Sequence, residues 1–367
     1  MASLLYSPVI EHIATLGGLA LSPFVSGPLL FSATYYPDTV RDALASIASK
    51  APEVVAAQIA SLPGLLDSPN FMTGLRVVTG LAVASKLNQI FNTMAHNSWR
   101  LGAAKGWDDW SDEIAVVTGG CSGIGKDIVQ RLAAMGMRVA VLDIADFPKD
   151  MEGNPRVKYC HCDVTLLESV TAAADTVRRG FGHPTILINN AGIANPKPIL
   201  KTDEAFLRKI IGVNLMSLWF TTQQFLPNMV QKNKGHVVTV ASIASFVALA
   251  TAADYSATKA GALAFHETLV SEIKNQYKAP NVLATVVHPN FVRTPLVAPF
   301  SNRLETAGVK MLTSDVVADA VVNQIKSKRG GQLVIPSSAT GISGIRGWPT
   351  WLQEVIRDAV AKGAAKP

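Results

Sequence analysis

Between residues 113 and 340, short apolar runs alternate with segments whose apolar positions recur every three or four residues. The runs fall at 114–118, 138–142, 157–160, 185–188, 236–240, 282–287 and 332–335. The helical spacing occupies 124–135, 166–179, 202–224, 254–277 and 314–326. Strands joined through helical crossovers pair in parallel, so seven such runs predict an α/β fold built on a doubly wound parallel sheet.

Residues 1–112 show no such alternation. No charged residue occurs from Ile13 to Pro37, a length able to cross a bilayer, but Pro23, Pro28 and several glycines argue against one uninterrupted span. A second apolar stretch, 71–91, is interrupted by Arg76 and Lys86. A secretory signal is not expected, because no basic residue precedes the apolar run and Glu11 and His12 sit at its edge. Two readings stay open for this apolar, helical extension: packing on the rest of the chain, or helices inserted in or lying on a membrane. The C-terminal end, 341–367, carries a similar signal. After Gly347-Trp348-Pro349, the residues Trp351, Leu352, Val355, Ile356, Ala359 and Val360 share one helical face, while Arg357, Asp358 and Lys362 point elsewhere. Such an amphipathic helix suits a lipid interface, plain packing or a dimer contact.

Composition narrows this picture. Of 367 residues, 49% are hydrophobic and 16% charged, with mean hydropathy +0.25. A disordered, fibrous or disulfide-scaffold protein is excluded, and the apolar excess points to lipid contact. The net charge of +6 is uneven: residues 1–112 hold 6 basic and 8 acidic side chains, and the remainder 27 and 19. No basic run with interleaved aromatics appears, so nucleic acid is not an expected partner; a cytosolic domain held near an anionic membrane surface fits the surplus. Cys121, Cys160 and Cys162 form no framework, which points to a reducing compartment. Cys160-His161-Cys162 lacks a second ligand pair, and no metal is expected.

The segment from Ile114 to Gly125 reads as a strand, a glycine-rich turn and the start of a helix, with Gly119, Ser122, Gly123, Ile124 and Gly125 in the turn. Glycines let the backbone turn sharply and approach a pyrophosphate, which then rests on helix N–H groups and the positive end of the helix dipole. The next strand ends at Asp143, 18 residues after Gly125. A carboxylate there accepts hydrogen bonds from ribose hydroxyls and repels a 2′-phosphate, so NAD is preferred, with NADP still possible.

Tyr255 and Lys259 lie one turn apart on a helix, and Ser242 stands 13 residues upstream of the tyrosine at a strand end. A free phenol is a poor base at neutral pH; a nearby ammonium stabilises phenolate and lets such a tyrosine exchange a proton with an alcohol or ketone. With these residues the chain resembles the short-chain dehydrogenase/reductase family over about residues 113–340. The order is Thr118-Gly-x-x-x-Gly-Ile-Gly125, Asp163-Val164, Asn189-Asn190-Ala191-Gly192, Asn214, Ser242, Tyr255-x-x-x-Lys259 and Pro289…Thr294. The resemblance implies a Rossmann-like fold, with Asp163 and Val164 near adenine and Asn190, Ala191 and Gly192 beside the adenosine ribose. It further implies Tyr255 as acid/base, Ser242 orienting substrate, Lys259 on the nicotinamide ribose and Asn214 holding a water that links Lys259 to solvent. Val292 and Thr294 would meet the carboxamide end of the cofactor. The family's Pro-Gly is Pro289-Asn290 here, and asparagine tolerates left-handed backbone best after glycine.

The apolar N-terminus, the Trp107-Asp-Asp-Trp110 lead-in and Val240-Ala-Ser242 resemble the membrane-associated branch, which includes retinol dehydrogenases and lipid-droplet 17β-hydroxysteroid dehydrogenases. Apolar residues at 295–300 and 243–249 suit a lipophilic alcohol, ketone or aldehyde as the small-molecule substrate. The resulting expectation is an NAD(P)-dependent oxidoreductase on the cytosolic face of the endoplasmic reticulum or on lipid droplets, and the resemblance implies a homodimer. The competing reading is a membrane or lipid-droplet structural protein that binds dinucleotide without significant turnover.

Overall fold

A computed structural model describes residues 22–306 and 308–364, apart from the side chains of residues 54, 360 and 362–364. Part of the uncharged N-terminal stretch, residues 13–21, and the side chains of Val360 and Lys362 therefore lie outside the described residues. The chain divides into two compact units between Met94 and Ala95.

The first unit is helical. It comprises α1 (Pro23–Tyr35), α2 (Pro37–Ala48), α3 (Glu53–Ser61), the single turn Pro63–Leu66, and α4, which runs from Pro69 to His96 across the division. Pro23, Pro37 and Pro63 each begin a helix, where the missing N–H has no partner to lose. Few side chains are buried here, Ser26, Ala33 and Ala82 among them, whereas Phe24 is 74% exposed and Phe31, Tyr35, Leu81 and Phe91 are also exposed. Among the described residues no helix is long and apolar enough to cross a membrane.

The second unit is the α/β sheet. Its strands are β1 (Ile114–Thr118), β2 (Arg138–Asp143), β3 (Val157–His161), β4 (Ile186–Asn189), β5 (Gly235–Val240), β6 (Val282–Pro289) and β7 (Gly331–Ile335). All pair in parallel, in the order β3-β2-β1-β4-β5-β6-β7. Alternate side chains of β1 enter different cores. Ala115 and Val117 pack with Ile128 and Leu132 of α5 (Gly123–Ala134) and Val321 and Ile325 of α11 (Ser314–Lys326). Val116 packs with Val177 of α6 (Leu167–Gly180), Phe225 and Met229 of α8 (Ser217–Lys232), and Leu269 of α9 (Ala253–Ser271). Burial on both faces is why these strands read as unbroken apolar runs.

Two predicted helices are interrupted. The 202–224 pattern becomes α7 (Glu204–Ile211), a π turn at Gly212–Met216 and α8, which continues to Lys232 and ends where Asn233 adopts φ +46°. The 254–277 pattern becomes α9 and a second π turn, Glu272–Gln276. A short α10 (Ser301–Thr306) and a two-residue bridge, Val292–Arg293 with Leu312–Thr313, lie beyond β6.

Residues 95–112 pack on the sheet unit. Trp107 is buried in the core, its ring 5.8 Å from that of Trp110. The Lys234 and Lys328 ammonium groups lie 5.1 and 5.7 Å from the Trp107 and Trp110 rings. At the other end, the 3₁₀ segment Ser337–Gly347 leads into α12 (Thr350–Ala364). Ile345 and Ile356 join Phe246, Val247 and Val334 in a small core, while Trp351 and Val355 remain 68% and 54% exposed. The C-terminal apolar face thus splits between packing and solvent.

Candidate active site

Strand order reverses between β1 and β4, so the loops after those strands diverge and leave a crevice at their carboxyl ends. A cleft of about 400 Å³ opens there. The turn after β1 forms its floor. Gly119 has φ +65°, and a Cβ on it would sit 2.9 Å from the Ala191 Cα. Gly123 has φ +51°, and its Cβ would meet the Thr294 Cγ2 at 2.9 Å. Both positions therefore demand glycine, for backbone angle and for space. Ser122 stands at the N-cap of α5 without a side-chain capping bond. Ser122, Gly123 and Ile124 line the cleft with Gly119, and the first N–H groups of a helix, which lack intrahelical acceptors, suit an anion. Gly125 serves packing: its Cβ would lie 2.1 Å from the Gly119 carbonyl oxygen.

Asp143, at the end of β2, also lines the cleft. Its carboxylate accepts from Cys121 N–H at 2.9 Å and Ala145 N–H at 3.0 Å, which fixes it beside the glycine turn. Burial and Asp143 push the Cys121 thiol up to about 12, and burial pushes Cys162 up to about 11, so neither is a ready nucleophile. Asp163 accepts from the Thr165 amide and hydroxyl at 2.9 and 2.7 Å, and Val164 beside it is buried at the cleft wall. Asn190 ties β4 to the glycine turn, its amide donating to the Thr118 and Gly119 carbonyls at 3.1 and 3.0 Å. Thr118 Oγ1 accepts from both Asn190 and Ala191 N–H at 3.0 Å. The cradle of small residues, the helix terminus and the acid at the end of β2 together fit a dinucleotide.

The chemistry-bearing side chains converge at the opposite end. Tyr255 is half-buried at the wall of the cleft, on the same side as Ser242. The Ser242 Oγ accepts from Ala244 N–H at 3.1 Å, so its own proton is free to point toward the phenol and the cleft. Burial pushes the Tyr255 phenol up, and the nearby Ser242 hydroxyl pulls it back in part. The Lys259 ammonium sits 5.7 Å from the Tyr255 ring centroid and donates to the Val240 carbonyl at 2.9 Å; burial brings it down to about 8. The lysine thus faces backbone here, and burial outweighs the depression of the phenol predicted from its ammonium. Asn214 lies in the π turn, fully enclosed. Its amide exchanges two bonds with Ile193, accepting from N–H at 2.8 Å and donating to C=O at 3.0 Å, and donates to Thr258 Oγ1 at 3.2 Å. A Cβ on Gly192 would lie 3.6 Å from both Asn214 Oδ1 and Lys259 Nζ, which sets these groups side by side.

Val292 and Thr294 line the cleft after β6. Asn290, where the family has glycine, does not take a left-handed φ, so the substitution strains nothing. Every residue given a catalytic or cofactor-binding role from the sequence borders the cleft except Gly125, which shapes the turn, and Asn214, which lies just behind Gly192. Sequence reasoning missed Asp254, whose Oδ1 accepts from Tyr255 N–H at 2.8 Å and whose buried Oδ2 has no partner among the described residues. It also missed Lys209 and Arg303, which line the cleft. Only adjacency to Tyr255 could have pointed to the first. Among the described residues no three His, Cys, Asp or Glu side chains are placed to hold a metal ion.

A family model described as short chain dehydrogenase matches residues 113–305. The chain is 38% identical over 226 residues to Dehydrogenase RED2 of Cochliobolus heterostrophus, covering 60% of this chain and 82% of that protein. It is 31% identical over 211 residues to Retinol dehydrogenase 10-A of Danio rerio, covering 50% and 62%. Among solved structures, the ligand-free aldohexose dehydrogenase of Thermoplasma acidophilum shares the fold with a TM-score of 0.54 at 23% identity, over 63% of this chain and 94% of that one.

Proposed function

We propose that this chain, which belongs to the short chain dehydrogenase family, interconverts a lipophilic alcohol and its carbonyl compound with NAD(H), Tyr255 moving the hydroxyl proton. Membership makes it an oxidoreductase acting on CH–OH groups with a nicotinamide dinucleotide. Bound in the cleft, that cofactor would supply the hydride acceptor for a carbinol carbon and, when reduced, the hydride donor for a carbonyl. Gly119, Ser122, Gly123 and Ile124 would hold its pyrophosphate, Asp143 and Val164 its adenosine end, and Val292 and Thr294 its nicotinamide end. The acid at Asp143 favours NAD by repelling a 2′-phosphate.

In the oxidative direction Tyr255 Oη accepts the alcohol's proton while Ser242 donates a hydrogen bond to the substrate oxygen; in reduction Tyr255 gives the proton back. Lys259 keeps a positive charge beside the phenol and favours its ionised form. The observation that carries this reading is the convergence of Ser242, Tyr255 and Lys259 on the wall of the cleft, with the lysine nitrogen 5.7 Å from the tyrosine ring. The lining residues Ile193, Leu249, Phe291, Leu296 and Phe300 are apolar, which supports a lipophilic substrate. The test is a panel of retinoid, steroid and long-chain alcohols with NAD and with NADP, followed by absorbance of the reduced nicotinamide. Tyr255→Phe should lower turnover about 10²- to 10⁴-fold and leave dinucleotide affinity intact; undiminished turnover in that variant contradicts the mechanism. Dinucleotide binding with no turnover across the panel would favour a structural role.

The exposed apolar side chains of residues 22–94, together with Trp351 and Val355, support attachment to the cytosolic face of the endoplasmic reticulum or to lipid droplets. Deleting 1–40 and, separately, 348–367 should each shift the protein toward the soluble fraction; full-length protein already soluble without detergent overturns the assignment. A homodimer through the α8/α9 face is supported by the groove that Trp219, Phe265 and Tyr277 line there.

A further inference from the structure

Ser242 leaves the end of β5 and enters the 3₁₀ turn Ile243–Ser245 at once. Its main-chain carbonyl accepts three hydrogen bonds: from Ser245 N–H at 3.0 Å, from the Ser245 hydroxyl at 2.6 Å, and from His288 Nδ1 at 3.1 Å. The single Ser245 hydroxyl proton is committed to that carbonyl. The 2.9 Å contact between Ser245 Oγ and His288 Nδ1 therefore puts the imidazole proton on Nδ1. The Nδ1 proton is shared between Ser245 Oγ and the Ser242 carbonyl, and Nε2 is then the acceptor for the Gln332 amide at 3.3 Å. His288 and Ser245 are 0% and 1% exposed, and neither lines the cleft. Phe246 covers the imidazole at 4.3 Å between ring centroids. From the C-terminal segment, Arg346 donates to the Ser245 and Phe246 carbonyls at 3.1 and 3.3 Å, beside the buried Ile345.

We infer that His288 is a positioning residue for catalysis: with Ser245 and Arg346 it clamps the Ser242 main chain from behind, so that the Ser242 hydroxyl is aimed at Tyr255. The inference rests on the proposed role of Ser242. A carbonyl with three donors cannot rotate its peptide plane without breaking a bond, and that plane sets where the side chain points. The neutral ring supplies both a donor and an acceptor, and it stays neutral because burial and, to a smaller degree, the Lys259 charge push it down to about 4. The titratable groups near it are Lys259 and His266. The clamp lies partly outside residues 113–305, since Gln332 and Arg346 come from the sheet edge and the C-terminal segment.

The test uses full-length protein and three variants. His288→Phe keeps a ring and removes the donor; His288→Asn keeps a donor near the Nδ1 position; Ser245→Ala removes one of the other bonds. Dinucleotide affinity is followed by fluorescence and folding by thermal melting. Turnover is measured on the best alcohol of the panel, and the Tyr255 phenol is titrated as a difference absorbance against Tyr255→Phe. That last readout needs no substrate, so it decides the matter even if the panel yields none and the proposed activity fails. His288→Phe should lower kcat about 10- to 100-fold with dinucleotide affinity unchanged, and should move the phenol titration to higher pH as the Ser242 hydroxyl loses its aim. His288→Asn should restore most of both, and Ser245→Ala should show a smaller loss of the same kind. A folded His288→Phe with wild-type kcat and an unmoved phenol overturns the inference. Should that variant not fold, Ser245→Ala with unchanged kcat and titration overturns it instead.

Discussion

Lys259 is a cation held where a cation is costly. Burial brings its pKa down from 10.5 to about 8, so between those values the unfolded chain binds a proton the native chain does not. Stability therefore rises as pH rises through that window, and below it the cost is present in full, on the order of 3 kcal/mol. Lys259→Met should raise the denaturation midpoint at neutral pH while removing turnover; a lower midpoint would show that the bond to the Val240 carbonyl outweighs the buried charge. Such a trade marks a residue kept for function. The glycine turn is constrained in the opposite sense. An added methyl at Gly125 would meet the Gly119 carbonyl at 2.1 Å, a backbone atom that cannot swing away. Gly125→Ala should thus weaken dinucleotide affinity at least about tenfold through distortion of the turn, as a binding titration would read. Asp143 is testable by exchange: Asp143→Ser should raise the ratio of NADP to NAD turnover at least about tenfold by removing a charge next to the 2′-phosphate position, and an unchanged ratio would place cofactor choice elsewhere.

At the scale of elements, what the sequence made legible was whatever is local or periodic. Each strand showed as a continuous apolar run because helices cover both sheet faces, and Tyr255 with Lys259 showed because one helical turn separates them. The π turns did not show. An i→i+5 turn inserts one residue without disturbing the apolar spacing on either side, so 202–224 read as one helix although Asn214 sits in the interruption. The carbonyl clamp was equally hidden, because His288, Gln332 and Arg346 meet Ser242–Phe246 only across strands far apart in the chain. The C-terminal segment reads as an amphipathic helix, yet a periodic stripe cannot tell which part packs and which faces solvent. Packing gives α8 its own test. Phe225 is 2% exposed in the core under β1 and β4; Phe225→Ala should cost about 3–5 kcal/mol, seen as a lower urea midpoint at unchanged slope.

For the whole molecule, three enclosed histidines set the response to acid. Burial pushes His236 and His266 down to about 3 and His288 to about 4, each from 6.5. The sign follows from proton counting. Above 6.5 neither the folded nor the unfolded chain holds these protons, and the stabilisation is complete. As pH falls below 6.5 the unfolded chain takes up three protons that the native chain refuses, so stability drops by roughly 4 kcal/mol per pH unit. Set against a typical stability of about 5–15 kcal/mol, that slope alone removes the lower figure within about 1.5 units below 6.5, before most exposed carboxylates are protonated. The slope runs in the same direction as the alkaline gain from Lys259, so the molecule should be most stable on the alkaline side of neutrality. Urea midpoints measured from pH 8 to 5 at fixed ionic strength check this. Replacing His266 with leucine should remove about one proton from the slope while leaving the glycine turn and its dinucleotide affinity untouched; a midpoint flat between pH 7 and 5 would mean that the interior admits these protons and that the His288 ring does not hold its single tautomer.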